Sequence, residues 1–556
     1  MIKKYIIDKI ASRLGIPTSA MAYWHAFNKV AGHLSIGLPD VLMALGANNM
    51  LRGFLNRFVI PINLDWVWPY WVVQQFDPMS PSFVARGFQI TTLNMTNRNW
   101  TAIGAINSVK EAVVDQRGLV VPQINGWSVD SWILYKGELY APSKMPGVTQ
   151  YPCQDLPIVI TEFKVGELTI NCEAFVEKVN KEDMIFHRAK IVNGGTQKEK
   201  LSFIYSIRPY NIEGLSLIGS IEYKENIFYV NDRVGVYLPA VPDQVLCNTY
   251  EQGDVSLFLN KEIKQNLSTK CPIGFATAMA KYDLELESKD TKEVIAYIPI
   301  EKKLSFKGLD KLDYEQVITD TIAGWRDRLD NRGMHIQVPD ARLQAAFLAN
   351  RAYMLVFHDG DSITPGPFSY HFFWYRDAAY MINALDKMGF SEEAGQILYT
   401  YPKLQKKGHF SSQKGEWDSN GQAIWTMVEH YRFSNDKAYL NKVYPSIVGA
   451  MKWIRNNRPI SKNPLYSGLH RPGLSAEHFG SNDYYYWDDF WSLAGLREGV
   501  RMAEVMGKKG DADLYRKVHA ELMASVDRSL LEVAKRFDKP IIPISPSLSR
   551  RMDSAA

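Results

Sequence analysis

The sequence predicts an α+β protein of more than one domain: an antiparallel β-sandwich over residues 101–310, a linker helix at 311–335, and an array of helices over 336–556. Three observations predict it. At 556 residues the chain exceeds what one ordinary core holds. Its first long patterned region alternates apolar and polar residues, the period-two signature of half-buried strands. Beyond about residue 312 the period lengthens to 3.6, that of amphipathic helices.

Residues 1–100 read as a mixed, largely helical segment. MIKKYIIDKIASRLGIP scatters charge among its apolar residues and lacks the unbroken apolar run of a signal peptide. VAGHLSIGLPDVLMALG is interrupted by His33, Pro39 and Asp40, so it reads as protein core and not as a membrane span. Trp66, Trp68 and Trp71 read as packing residues. From 101 onward, segments such as TEFKVGELTINCEAFVEKV, KLSFIYSIRPYN and ATAMAKYDLELES alternate, with glycine, asparagine or lysine at the turns. Many short strands without crossover helices between them indicate an antiparallel sandwich.

YEQVITDTIAGWRDRLDNRG is the linker helix. Seven helical segments follow, among them RDAAYMINALDKMG, NGQAIWTMVEHYRF, PSIVGAMKWIRNN and WDDFWSLAGLREGVRMAEVMG. In the first of these, Ala378, Met381, Ile382 and Leu385 share one face. Gly389 then suits a C-cap, and Ser391 with Glu392 and Glu393 opens the next helix. Loops of uneven length join the helices and carry aromatic and acidic residues, which places chemistry on one rim of the array.

Composition excludes several functions. A formal net charge of +4 with no Lys/Arg run gives no nucleic-acid partner. Cys153, Cys172, Cys247 and Cys271 have no zinc spacing, and no other metal constellation is visible, so neither metal nor cofactor is expected. A reduced, cytoplasmic location without membrane attachment is the simplest expectation. Aromatic residues make up 12%, which suits carbohydrate binding and also a large helical core.

Three short motifs carry chemistry. In FFWYRDAAYM, Arg376 and Asp377 suit directional, charge-assisted hydrogen bonds to vicinal hydroxyls, and Trp374 suits the face of a pyranose. Asp377 equally suits the N-cap of a helix beginning at Ala378. In KGEWDSNGQAIW, Asp418, Asn420 and Gln422 suit a sugar site, or Asp418 or Asn420 a helix cap. SNDYYYWDDFW crowds rings around acids, as in a sugar site with a proton donor, or as on an ordinary helix rim.

This order of strand domain, linker helix and paired helices, with these motifs, resembles the six-hairpin glycosidases: prokaryotic glucoamylases, trehalases and disaccharide phosphorylases. The resemblance implies a supersandwich followed by an (α/α)6 barrel of twelve helices, of which this chain carries about seven, so the barrel is expected to be incomplete. Trp374, Arg376 and Asp377 match the Trp-x-Arg-Asp that opens the second barrel helix and holds the non-reducing sugar. Asp488, beside Trp487, falls where the general acid follows Trp in these families, with Asp in place of the glucoamylase Glu; Asp489 falls at the helper position. Trp417, Asp418, Asn420, Tyr486 and Trp487 complete the implied substrate-binding set.

The implied activity is an inverting glycoside hydrolase acting on an oligo- or disaccharide, with an α-glucosidic preference. An inverting disaccharide phosphorylase and a non-catalytic carbohydrate-binding protein are the alternatives. Asp488 and Asp489 cannot be an acid–base pair across a glycosidic bond, because helix neighbours point about 100° apart. The base is expected late in the barrel, beyond residue 556, with Glu416 or Asp418 as substitutes. The decisive expectation is that Trp374, Asp377 and Asp488 converge on one saccharide-sized hollow.

Overall fold

The computed structural model describes residues 52–83 and 100–547, except 54, 125, 261–263, 301–308, 475–481 and 538–541. The expected helical core segment at 30–46 lies outside the described residues. Before the sandwich, helix α1 (Tyr70–Phe76) packs with Trp66 and Trp68. Trp66, Trp68 and Trp71 are all buried; Trp66 stacks on Trp68, and Trp68 lies against Tyr210.

Among the described residues two large antiparallel sheets follow, with a two-stranded ribbon of Tyr210–Asn211 and Gly214–Leu215 beside them. The first, of eight strands, runs in the order Trp100–Ile103, Ala112–Asp115, Val120–Val121, Ser128–Tyr135, Glu199–Arg208, Thr277–Leu286 and Gln244–Asn248, with Glu138–Tyr140 paired beside Ser128–Tyr135. The second has nine strands, centred on Thr291–Pro299, Glu182–Asn193 and Leu168–Val179. Alternation explains their faces. Val159–Val165 buries every second residue. In Leu168–Val179 the pattern changes from alternating to buried on both faces at Cys172. Ala174 and Val176 enter the core between the sheets, whereas Phe175 faces the opposite side and joins the core of the helical half.

That second core forms the junction. Phe175 and Phe186 stack at 5.2 Å, and both meet Tyr314 edge-on. Tyr314 opens helix α2 (Tyr314–Arg332), whose N-cap Asp313 accepts from the backbone N–H of Glu315 and Gln316. The linker helix is thereby an integral layer between sheet and helices. Trp325 and Leu329 on α2 continue the same core.

Helices α3 (Ala341–Val356), α4 (Tyr375–Lys387), α5 (Ser391–Leu398), α6 (Tyr401–Leu404), α7 (Ser419–Ser434), α8 (Lys437–Asn456), α9 (Tyr486–Val505) and α10 (Lys509–Phe537) follow. Gly389 turns with φ +90° between α4 and α5, a conformation in which a side chain would be strained. One expectation is corrected. Pro445 lies inside α8, which begins at Lys437 and not near the proline. Asp436 caps the true start by accepting from Ala438 and Tyr439 N–H. Tyr439, Leu440, Val443, Tyr444 and Ile447 are buried around the proline, so packing offsets the lost backbone hydrogen bond. Among the described residues, no helix is long and apolar enough to cross a membrane. The four cysteines are free thiols.

Candidate active site

Helices α4, α7 and α9 pack side by side, and their N-termini open on one hollow of about 590 Å3. Arg376, Asp377, Tyr380, Glu416, Asp418 and Asp488 supply its polar wall. Tyr485, Tyr486, Trp487, Phe490, Leu474 and Ile544 supply most of the apolar remainder. The size falls in the range of small-molecule sites.

The backbone sets this convergence. Gly421 on α7 meets α9 so closely that an added Cβ would lie 2.0 Å from the Trp491 carbonyl oxygen. A Cβ on Gly495 would lie 2.7 Å from the Gly421 Cα. Glycines at both positions let the two main chains touch, which brings Asp418 at the head of α7 beside Asp488 in the first turn of α9.

Arg376 organises the acids. Its guanidinium lies 3.6 Å from Asp418 Oδ2, 3.9 Å from Glu416 Oε1 and 3.8 Å from Asp377 Oδ2. Asp418 occupies the N-cap position of α7 but makes no side-chain capping bond. Its Oδ2 accepts from Gln422 Nε2 at 2.8 Å and from Trp487 Nε1 at 2.9 Å. Asp377 is likewise not a cap: α4 begins at Tyr375, with Trp374 at the N-cap.

Asp488 is 4% exposed, and its Oδ2 has no hydrogen-bond partner among the described residues. Its carboxyl is held well above the usual range. Burial is the main cause, and the negative charges of Asp418, Asp489 and Glu416 add to it, while Arg376 opposes. The N-terminus of α9 also favours the anion, but a helix end contributes at most ~2 kcal/mol. Burial in a hollow shared with other acids opposes it and is the first cause of the upward shift. The surroundings thus favour the protonated form of Asp488 at the wall of a polar hollow.

Several predicted residues fall elsewhere. Trp374 is 8% exposed, packs edge-on against Phe372, and does not line the hollow, so the expected convergence with Asp377 and Asp488 lacks its tryptophan. Trp417 lies over Gly473, donates to the Pro472 carbonyl and packs with His409 and Trp453, which makes it a loop clamp. Asn420 is fully buried. Its Oδ1 accepts from Phe410 N–H, and its amide donates to the carbonyls of Gly408 and Ala450. Asp489 is turned away from the hollow: its Oδ1 accepts from His470 N–H at 3.0 Å, and burial pushes its carboxyl up to about 7. It ties the loop before α9 to that helix.

Other lining residues went unremarked in the sequence. Tyr380 stands four residues after Arg376 and Phe490 three after Trp487, so helical spacing marks both. Ile544 enters from the segment after α10, where Asp483 accepts from the Ser545 and Ser547 hydroxyls and Tyr486 N–H donates to the Ile544 carbonyl. Tyr486 lines the hollow with its own hydroxyl bonded to Ser529.

No family model and no curated protein matches the sequence. Among solved structures, a bacterial glucoamylase complexed with acarbose matches 81% of this chain and 69% of its own, at 13% identity and a TM-score of 0.54. The chain has a glucoamylase-like fold. A putative kojibiose phosphorylase from the human microbiome matches 77% of this chain and 67% of its own, at 8% identity and a TM-score of 0.46. The glucoamylase-like fold agrees with the six-hairpin glycosidase resemblance read from the strand domain, linker and helix order. At these identities the likeness is one of fold, and the chemistry rests on the hollow itself.

Proposed function

We propose that the protein is a glycoside hydrolase acting on an oligo- or disaccharide with an α-glucosidic linkage, by inverting general acid/base catalysis, with Asp488 as the general acid. The helices α3–α10 belong, in this reading, to an (α/α)6-type barrel whose rim carries the site. The observation that carries it is the buried, uncharged-tending carboxyl of Asp488 in a hollow shared with Arg376, Asp377 and Asp418. A protonated Asp488 donates to the glycosidic oxygen as the bond to the anomeric carbon breaks. Arg376 and the acids around it bind sugar hydroxyls, and the half-exposed ring of Trp487 offers a face to the adjoining sugar. Water attacks from the opposite side and yields its proton to a second carboxylate ~6.5–9.5 Å from the first.

The test is Asp488→Asn assayed on α-linked disaccharides, with product anomers followed by NMR. Expected are release of free sugar of inverted configuration and a loss of turnover of ~10²–10⁴-fold in the variant. Binding of an unreactive thio-linked disaccharide should persist in the variant. Unchanged turnover would remove Asp488 from the mechanism, and formation of a sugar phosphate would replace hydrolysis by phosphorolysis.

A further inference from the structure

A second cluster of titratable groups lies at the seam between the sandwich and the helices. Glu111 immediately precedes the strand Ala112–Asp115 of the first sheet. Asp359 and His371 stand in the loop between α3 and α4. His371 Nδ1 lies 3.1 Å from Glu111 Oε2, and its Nε2 lies 3.7 Å from Asp359 Oδ2. One ligand atom from each of the three residues lies within 4.8 Å of the others.

Charge and hydrogen bonding do not close within this group. The Glu111 side chain is 1% exposed and that of Asp359 6%. Glu111 Oε1 and Asp359 Oδ1 are buried and have no hydrogen-bond partner among the described residues. Two buried carboxylates thus face a single imidazole, with the Thr364 hydroxyl hydrogen-bonded in the group and the Lys110 charge also acting on His371. Even when protonated, the ring neutralises one negative charge and supplies two donors, which leaves carboxylate oxygens unsatisfied, an arrangement buried polar groups ordinarily avoid. The side chain of His371 is 24% exposed, so the cluster is reachable from solvent.

We propose that Glu111, Asp359 and His371 form a binding site for one first-row divalent cation, with Zn2+ the best match. Two carboxylate oxygens and one imidazole nitrogen are a donor set that Zn2+ accepts with three protein ligands, leaving a further position for water. Ca2+ and Mg2+ favour all-oxygen sets and are disfavoured by the imidazole. Zn2+ bonds of ~2.0–2.2 Å place tetrahedral donor atoms ~3.4 Å apart; His371 Nδ1 and Glu111 Oε2 are 3.1 Å apart and the three donors as a set lie within 4.8 Å, so the Asp359 carboxylate draws inward on binding.

The site's place in the fold defines its role. Its loop ends at Trp374, the N-cap of α4, and the first turn of α4 carries Arg376 and Asp377. A cation here fastens the sandwich to the segment that delivers those two side chains. The inference stands apart from the glycosidase assignment, since no residue of the cluster lines the hollow.

The test uses the full chain, stripped with a chelator and then titrated with Zn2+ by calorimetry and with Co2+ by visible spectroscopy. Expected are one saturable equivalent, a d–d spectrum of nitrogen and oxygen ligation that Zn2+ displaces, and a melting temperature raised by Zn2+. Glu111→Gln should weaken binding by ~10-fold or more and erase the thermal shift. His371→Ala, at a partly exposed position, gives a second reading if Glu111→Gln fails to fold. The proposal is overturned if no saturable equivalent binds at millimolar Zn2+, which would mean that a proton closes the cluster. It is equally overturned if both variants bind as the parent does, or if Ca2+ binds there and Zn2+ does not.

Discussion

Trp487 Nε1 donates a hydrogen bond to Asp418 Oδ2 at 2.9 Å, joining the first turn of α9 to the head of α7 immediately beside Asp488. The bond fixes the indole while leaving its ring 45% exposed at the hollow. Trp487→Phe keeps a ring and removes the donor. A hydrogen bond to a charged group contributes ~1.5–3 kcal/mol, so kcat/KM should fall by ~10-fold or more. Steady-state kinetics on an α-linked disaccharide check this, and an unchanged kcat/KM would show that the bond does not hold the site.

The pH profile should depend on Asp418. Its negative charge is among the causes that raise the Asp488 carboxyl. Asp418→Asn removes that charge, so Asp488 ionises more readily. In the proposed mechanism Asp488, as general acid, works only when protonated, and the alkaline limb of kcat/KM should therefore move to lower pH. A limb that stays in place or moves upward would contradict the electrostatic coupling.

Asp489 should limit stability at high pH. Its folded value of about 7 lies above the usual 3.8, so the native state binds the extra proton. For a raised carboxyl, stability is fully present below the unfolded value and is lost as pH rises through the folded value. Asp489→Asn keeps an oxygen for His470 N–H and carries no charge. Relative to the parent it should gain up to ~4 kcal/mol at pH 8, an advantage that disappears near pH 4. Denaturant melts at the two pH values measure the difference.

Two glycine substitutions should act in opposite directions. Gly421→Ala drives a methyl into the Trp491 backbone and should destabilise by ~3 kcal/mol or more while lowering activity. Gly324, on the exposed face of α2, has nothing within 4 Å of an added Cβ. Gly324→Ala should stabilise by ~0.5–1 kcal/mol with activity unchanged. Equal effects of the two would refute the close approach of α7 and α9.

The helices were legible where one face is apolar, as with Ala378, Ile382 and Leu385 on α4. Helix ends were less so. Pro445 suggests a start, yet tertiary packing carries α8 through it, and local chemistry cannot report that packing. In the motifs the difficulty was rotation about the helix axis. Asp418 and Asn420 are two residues apart, and Asp488 and Asp489 one, so at about 100° per residue the partners face different surroundings. Asp418 and Asp488 face the hollow, whereas Asn420 and Asp489 face backbone. Residue type alone does not distinguish them. Ile544 reaches the hollow through tertiary folding of a segment with no local periodicity.

The contact of Gly421 with Gly495 has a mechanical consequence. Where main chain rests on main chain, no side-chain rotation can absorb a displacement, so the head of α7 is braced against the middle of α9. Any breathing that admits or releases a ligand falls to the surrounding walls. An arriving molecule must then conform to an Asp488 carboxyl whose position was settled when the chain folded.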